Sequence, residues 1–196
     1  MIEYGVLIPI GNSHWEFPSF IIPKKDGRVR WISEFRRLKE IIIRKPFALP
    51  TIQYIMNRRG KYKHFTKINL SMMLYCFEMD DQAKRLCVIS LESGNYAYTR
   101  LPMGVNISPD VAQSYMAEML HRIDCEYYMD DVGIWSYGSF EDHLQIVDNF
   151  LARFSEFNMK CNPLKCDWGV KETDFLVFWM NPQVIKPWRE KIEAIL

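Results

Sequence analysis

Two adjacent aspartates, Asp130 and Asp131, stand inside an otherwise apolar stretch, with Tyr127-Tyr128-Met129 before them and Val132 to Trp135 after. Side chains on a strand alternate between faces, so a regular strand through this stretch would drive one acid into the core without a partner, at a cost of several kcal/mol. The pair therefore has to sit on a turn, and the fold must contain a hairpin whose tip carries two carboxylates. Such a tip can offer oxygen to a hard divalent cation, and Mg²⁺ characteristically takes one or two protein carboxylates together with substrate phosphates. An inert, solvated Asp-Asp turn would be written with the same letters, because acidic residues are common in turns.

The chain around this hairpin has 196 residues, 48% hydrophobic and 25% charged, enough to bury one full core or two smaller ones and too apolar for disorder or a collagen-like repeat. Its net charge of +1 hides a segregation. Between Pro23 and Lys67 stand fourteen Lys/Arg against three acids, leaving eleven against twenty-one elsewhere, so one end should attract polyanions. The five cysteines are odd in number and form no CxxC pair, which fits free thiols in a reducing compartment better than a disulfide framework or a zinc ribbon. No apolar run approaches the roughly 18 residues of a membrane span, and Met-Ile-Glu-Tyr-Gly-Val is not the start of a secretion signal. The expectation is an intracellular, cytoplasmic protein with no membrane partner.

The order of elements points to α+β. Phe20 to Ile22 and Val29 to Ile32 flank Lys24-Lys25-Asp26-Gly27, and Asp-Gly between apolar runs predicts a hairpin whose tip carries lysines. Phe35 to Ile43 reads as a short helix, and Pro50 opens a second one that runs to Arg59 and closes at Gly60. Strands follow at Lys63 to Ile68, Leu86 to Ser90 and Tyr96 to Arg100, and Ser108-Pro109 reads as N-cap and first turn of a helix to about His121. The clearest amphipathic helix runs from Phe140 to Phe157, with Leu144, Val147, Phe150, Leu151 and Phe154 at spacings of three and four. Short strands near Cys161, Asp167 and Phe175 to Trp179 come next, and Pro187 opens a last helix.

Several of these segments together resemble reverse transcriptases, most closely the polymerase module of gypsy-like LTR retrotransposons and retroviral-type Pol polyproteins. Tyr128-Met129-Asp130-Asp131 matches the YxDD box. Leu101-Pro102-Met103-Gly104 with Ser108-Pro109 and Gln113 matches the LPxG…SPxxxQ box, and Pro23 to Trp31 matches the fingers hairpin. Phe65-Thr66-Lys67-Ile68, Asn162-Pro163-Leu164-Lys165-Cys166 and Lys186-Pro187…Lys191-Ile192 extend the match over nearly all of the chain.

The resemblance implies a right-hand fold of fingers and palm, the palm an antiparallel sheet backed by helices. The expected division is fingers at 1–45 and 77–107, palm at 46–76 and 108–182, and the start of thumb or connection at 183–196. It implies RNA-directed DNA synthesis, a nucleotidyl transfer with two Mg²⁺ ions, or Mn²⁺, on Asp130, Asp131 and the position of Asn69. Lys24 and Arg30 would meet the triphosphate, Leu74, Met103 and Gly104 would line the nucleotide pocket, and Lys165 would protonate the departing pyrophosphate. Arg36, Arg37, Arg58, Arg59 and Lys61, with Lys39, Arg44, Lys45 and Lys63, would contact phosphates of an RNA or DNA template with its primer. Trp15, Phe17, Trp31 and Phe35 would either stack on bases or form core, core being favoured. Deoxynucleoside triphosphates are the implied substrate, and RNase H and integrase the implied companions in a Pol polyprotein, outside this chain.

The chain also departs from the pattern. The first catalytic aspartate is Asn69 here, which keeps one coordinating oxygen and brings no negative charge. Leu74 stands where an aromatic usually excludes ribonucleotides, Glu34 and Lys39 replace an Asp and an Asn of the fingers, and Val177 replaces a turn glycine. Turnover is left open between an impaired polymerase and a catalytically dead, nucleic-acid-binding domain of a decayed retroelement. An unrelated polyanion-binding α+β protein would explain the basic segment alone.

Overall fold

The computed structural model describes residues 1–23, 27, 29–59 and 61–187. Its chain divides into two compact units, each built from two separate segments: Met1–Pro46 with Leu74–Ala112, and Phe47–Met73 with Gln113–Leu196.

The first unit is built on a mixed five-stranded sheet. Strands β1 (Leu7–Ile10), β2 (Phe17–Pro23), β3 (Val29–Ser33), β5 (Val88–Leu91) and β6 (Gly94–Tyr98) lie in the order β1-β6-β5-β2-β3. All neighbours are antiparallel except β2 and β5. The expected hairpin is present, Pro23 opposite Val29, with Gly27 at φ 78; Lys24, Lys25, Asp26 and Arg28 of its tip lie outside the described residues. Helices α1 (Arg36–Ile41) and α3 (Asp81–Leu86) pack with the sheet residues around Phe17, Phe35, Leu38, Ile89 and Tyr98. Phe17 and Phe35 meet edge to face at 5.0 Å and are buried, and Trp15 and Trp31 pack half-buried against the same cluster, so these four aromatics are core.

The second unit carries an antiparallel sheet of β4 (His64–Asn69), β7 (Glu126–Tyr128), β8 (Asp131–Ser136) and β9 (Asp167–Val170), in the order β7-β8-β4-β9. A smaller sheet joins β10 (Thr173–Phe175), β11 (Phe178–Met180) and β12 (Ile185–Pro187). Phe65, Trp135 and Phe175 interlock at ring separations of 4.6 to 5.4 Å and, with Ile55 and Met56 of α2 (Ile52–Arg58), seal a buried core. Helix α4 (Ser108–Met119) begins in the first unit and ends in the second, and α5 (Phe140–Glu156) lies against β4 and β8. A capping box starts α5: the Ser139 hydroxyl accepts from the Asp142 N–H, and the Asp142 carboxylate accepts from the Ser139 N–H.

Several local expectations are corrected. Pro50 precedes the second helix instead of opening it: the Thr51 hydroxyl accepts the Tyr54 N–H at 3.2 Å, a bond that proline cannot replace. Leu86 ends α3 instead of starting a strand, because Asp80 caps that helix through the Ala83 N–H at 2.8 Å. Ser108 is no cap; its hydroxyl donates to the Pro102 carbonyl at 2.8 Å and ties down the loop before α4. On α5 the apolar stripe is His143, Val147, Phe150 and Phe154, and Leu144, a third of a turn off that line, is 50% exposed. Pro187 closes β12 rather than opening a helix, and the segment expected to be helical after it lies outside the described residues. The turn Leu176-Val177 joins β10 to β11 with φ of 47 and 69, so a β-branched residue does occupy a left-handed turn position. All five cysteines are free thiols, and burial pushes those of Cys87 and Cys125 up to about 12.

Candidate active site

Strand register brings the acidic tip and the asparagine together. Asn69, last in β4, is paired with Asp131, first in β8, and Tyr128 is paired with Asp131 across the tip. Met129 and Asp130 form the intervening turn, Met129 at φ 55, where a glycine is usual. The turn was expected to carry both acids; only Asp130 is there, exposed, while Asp131 opens the strand and is half-buried. The cost of burying Asp131 without a partner is relieved by Asn69, whose Nδ2–H donates to Asp131 Oδ1 at 2.9 Å. Burial still raises the proton affinity of Asp131, with the Asp130 charge adding to it, against the Asn69 hydrogen bond and the Lys67 and Lys165 charges.

Three neighbours hold this edge in shape. The Leu70 N–H donates to the Asp130 carbonyl at 2.7 Å. The segment from Cys161 to Cys166 cradles the Asn69 backbone: the Asn162 N–H donates to the Asn69 carbonyl at 2.8 Å, and the Asn69 N–H donates to Cys166 Sγ at 3.4 Å. Gln113, 1% exposed on α4, clamps the turn, its Nε2–H reaching the Tyr127 carbonyl at 3.4 Å and its Oε1 accepting the Met129 N–H at 3.1 Å. In the sequence Gln113 is legible as a motif letter and not as a clamp; the one local signal is an amide placed on an otherwise well-packed helix face. Lys67, on the same face as Asn69, is held by Asp167 at 2.8 Å and Asp174 at 3.3 Å. Lys165 is exposed on the short 3₁₀ turn Pro163–Lys165.

The residues expected to meet a nucleotide belong to the first unit, apart from Lys24, which lies outside the described residues. Arg30 is exposed on β3, Leu74 is half-buried in a 3₁₀ turn, and Met103 is exposed beside Gly104. Gly104 has φ 101, and a Cβ there would lie 2.4 Å from the Ser33 carbonyl oxygen, so its missing side chain is already required by a close backbone approach.

Of the expected phosphate contacts, Arg37 and Lys61 are exposed, Arg36 is open to solvent beside Glu34, and Arg58 is half-exposed over the Tyr54 ring. Arg59 is a correction. It is 12% exposed, pairs with Asp124 at 2.9 Å and Glu126 at 3.1 Å, and lies over the Trp135 ring, so its charge is consumed inside the second unit. Arg44 is likewise bound by both oxygens of Asp110, at 2.7 and 3.1 Å.

The expected pair of Mg²⁺ ions does not fit this donor set. Asn69 brings a neutral oxygen, its N–H is directed at Asp131, and the remaining charge is one exposed and one half-buried carboxylate. Among the described residues no group of three His, Cys, Asp or Glu side chains is placed to hold a metal ion. Among the same residues no helix is long and apolar enough to cross a membrane.

Comparison with known proteins places these features in context. The family model described as reverse transcriptase (RNA-dependent DNA polymerase) matches residues 22–180. The retrovirus-related Pol polyprotein from transposon 297 of Drosophila melanogaster is 31% identical over 204 residues, covering 100% of this chain and 19% of its own length. The corresponding polyprotein from transposon gypsy of the same organism is 25% identical over 205 residues, covering 100% of this chain and 20% of its own. The chain thus spans about a fifth of these relatives. A foamy viral protease-reverse transcriptase solved with double-stranded DNA superposes with a TM-score of 0.91 at 22% identity, over 99% of this chain and 40% of that one. The same kind of protein solved with an RNA/DNA hybrid gives 0.90 at 21% identity, over 100% and 27%.

Proposed function

The chain belongs to the reverse transcriptase family, and from that membership we propose that it holds a template and primer while extending the primer far more slowly than an intact member. The observation that carries the second half is the Asn69–Asp131 hydrogen bond. An amide stands where the family has a carboxylate, and it is engaged with the neighbouring acid. Loss of even an outer partner of a metal ligand commonly reduces affinity or rate by factors on the order of ten to a hundred, and loss of a ligand's charge reduces it further. Family members in general use divalent ions; in this chain the donors do not support the two-ion arrangement, and the reading therefore rests on binding.

The binding half is supported by the fold neighbours solved with double-stranded DNA and with an RNA/DNA hybrid. In our reading the first unit is the fingers and the second the palm. Arg36, Arg37, Arg58 and Lys61 make sequence-independent phosphate contacts, as suits a protein that must accept any template. Arg30 and Lys24 would meet the triphosphate of an incoming deoxynucleotide, Met103 and Gly104 would border its pocket, and Leu74 would take the position beside its sugar. Asp130 and Asp131 are the surviving catalytic acids and Lys165 a proton donor to the leaving group. RNase H and integrase would be companions in the same Pol polyprotein, in the cytoplasm or a retroelement particle.

Primer extension on an RNA template, with Mg²⁺ and separately with Mn²⁺, tests this by comparing the chain with Asn69→Asp. Extension at least about tenfold faster in the variant than in the native chain is the expected result, and equal extension by both refutes the impairment. Extension by neither would move the lesion to Leu74 and Val177. Filter binding at several salt concentrations checks the binding half: affinity should fall steeply with salt, and a flat response refutes phosphate contact.

A further inference from the structure

We infer that the Asn69 amide relieves the charge on Asp131 as a bound cation would, so that the sheet edge carrying Asp130 and Asp131 gains no stability from a divalent ion. The inference rests on the reading of position 69 as a former carboxylate site and concerns the stability of that site, not its turnover.

Asn69 and Asp131 are directly opposed in an antiparallel pair, so their side chains leave the same face of the sheet. Like charges placed directly opposite one another on a sheet are destabilising, and Asp130 stands one residue away. With an aspartate at position 69, three carboxylates would crowd one sheet edge, half-buried at Asp131, and a bound cation would relieve their repulsion. Asparagine changes the sign of the contact. Only its nitrogen can donate to a carboxylate, so Nδ2–H faces Asp131 Oδ1 at 2.9 Å and turns a repulsion into a charge-assisted hydrogen bond.

Among the described residues neither lysine that acts on Asp131 replaces this amide: Lys67 is bound to Asp167 and Asp174, Lys165 is exposed, and both reach Asp131 only as charges. The backbone of Asn69 is held at both its N–H and its carbonyl by the Asn162 to Cys166 segment, so the amide is carried on a fixed peptide. The Nδ2–H bond occupies one oxygen of Asp131, so a divalent ion reaches that carboxylate only through what Asn69 leaves open, and finds there an amide in place of a second charge. The charge on Asp131 is therefore partly satisfied in advance, and a bound ion has less repulsion to relieve than it would have opposite an aspartate.

Thermal unfolding of the chain in EDTA, and with millimolar Mg²⁺ or Mn²⁺, reads this directly. The native chain should melt at the same temperature in all three, within about 1 °C. Asn69→Asp should melt about 3 °C or more lower in EDTA and recover most of that in Mn²⁺. Asn69→Ala, which removes the hydrogen bond without adding charge, should melt lower and recover nothing. Mn²⁺ titration followed by water-proton relaxation should find the Asn69→Asp variant binding at least about tenfold more tightly than the native chain. A native chain that gains as much from Mn²⁺ as the variant, or a variant as stable as the native chain in EDTA, overturns the inference. Should Asn69→Asp fail to fold in any buffer, the native cation response and Asn69→Ala still decide. None of these readouts involves nucleic acid, so the inference and the proposed function can fail separately.

Discussion

Replacing Gln113 by methionine isolates the clamp on the Asp130 turn. The two side chains have similar volume, so Gln113→Met leaves no large cavity at a position that is 1% exposed, and removes both hydrogen bonds. The Met129 N–H and Tyr127 carbonyl lose their Gln113 partner in a half-buried setting, a loss of about 1 kcal/mol for each bond. Met129 also holds a left-handed backbone, worth roughly 1–2 kcal/mol of strain, which the clamp now opposes. The added apolar side chain returns part of the difference, and the expected net destabilisation is about 2 kcal/mol. At about 2–4 °C per kcal/mol for a chain of this size, the melting temperature should fall by about 4–8 °C. Urea unfolding gives the global value, and amide exchange at Met129 gives the local one, which should speed up more than exchange in the centre of β8. A variant within about 0.5 kcal/mol of the native chain, with Met129 exchange unchanged, would refute the clamp.

Three further outcomes follow from the same geometry. His143 is fully buried, shares a 2.8 Å hydrogen bond with Thr66, and has its pKa lowered below 6.5, first by burial and then by His64. The unfolded state therefore binds the proton more tightly, and the stability carried by neutral His143 is complete above pH 6.5 and is lost as the pH falls below it; chemical unfolding at a series of pH values should show this fall, and His143→Gln should flatten it. Gly104→Ala should destabilise by about 2 kcal/mol or more in thermal unfolding, because its Cβ meets the Ser33 carbonyl oxygen and the residue must keep φ 101; an unchanged melt would refute the close approach. Arg59→Ala should lower stability with little change in nucleic-acid affinity, whereas Arg36→Ala with Arg37→Ala should do the reverse and reduce the salt slope by about 0.9 for each phosphate no longer neutralised.

The candidate site was legible where chemistry forces a local choice. Two acids in an apolar run demanded a turn, and the hairpin of β7 and β8 supplies it, although only Asp130 occupies the bend. Asn69 was recognisable as a missing charge, but its hydrogen bond to Asp131 was not, because the partner is 62 residues away and follows from register alone. Arg59 shows the opposite limit. Its letter is that of a solvated phosphate contact, and what holds it, the carboxylates of Asp124 and Glu126 and the ring of Trp135, arrives from a bend and two strands that no local window contains.

The helices show the same division at a smaller scale. The spacing of Val147, Phe150 and Phe154 identified the buried stripe of α5, since a period of 3.6 is a property of the helix itself. Whether His143 or Leu144 completes that stripe depended on Thr66 offering a hydrogen bond from β4, which made burial of an imidazole tolerable. Caps misled in a similar way, because Ser108 had a carbonyl of the preceding loop to bind and Thr51 had a helix N–H to accept.

Composition, periodicity and turn chemistry, together with motif order, were thus sufficient for the α+β class, the basic segment, the acidic hairpin and the family. These depend on interactions within a few residues or on letters that can be matched one by one. The hydrogen bond that Asn69 gives Asp131, the clamp by Gln113 and the capture of Arg59 and Arg44 were decided only on folding. Each is a balance of charge and desolvation between residues distant along the chain, and that balance exists only once strand register and packing have set the distances between them.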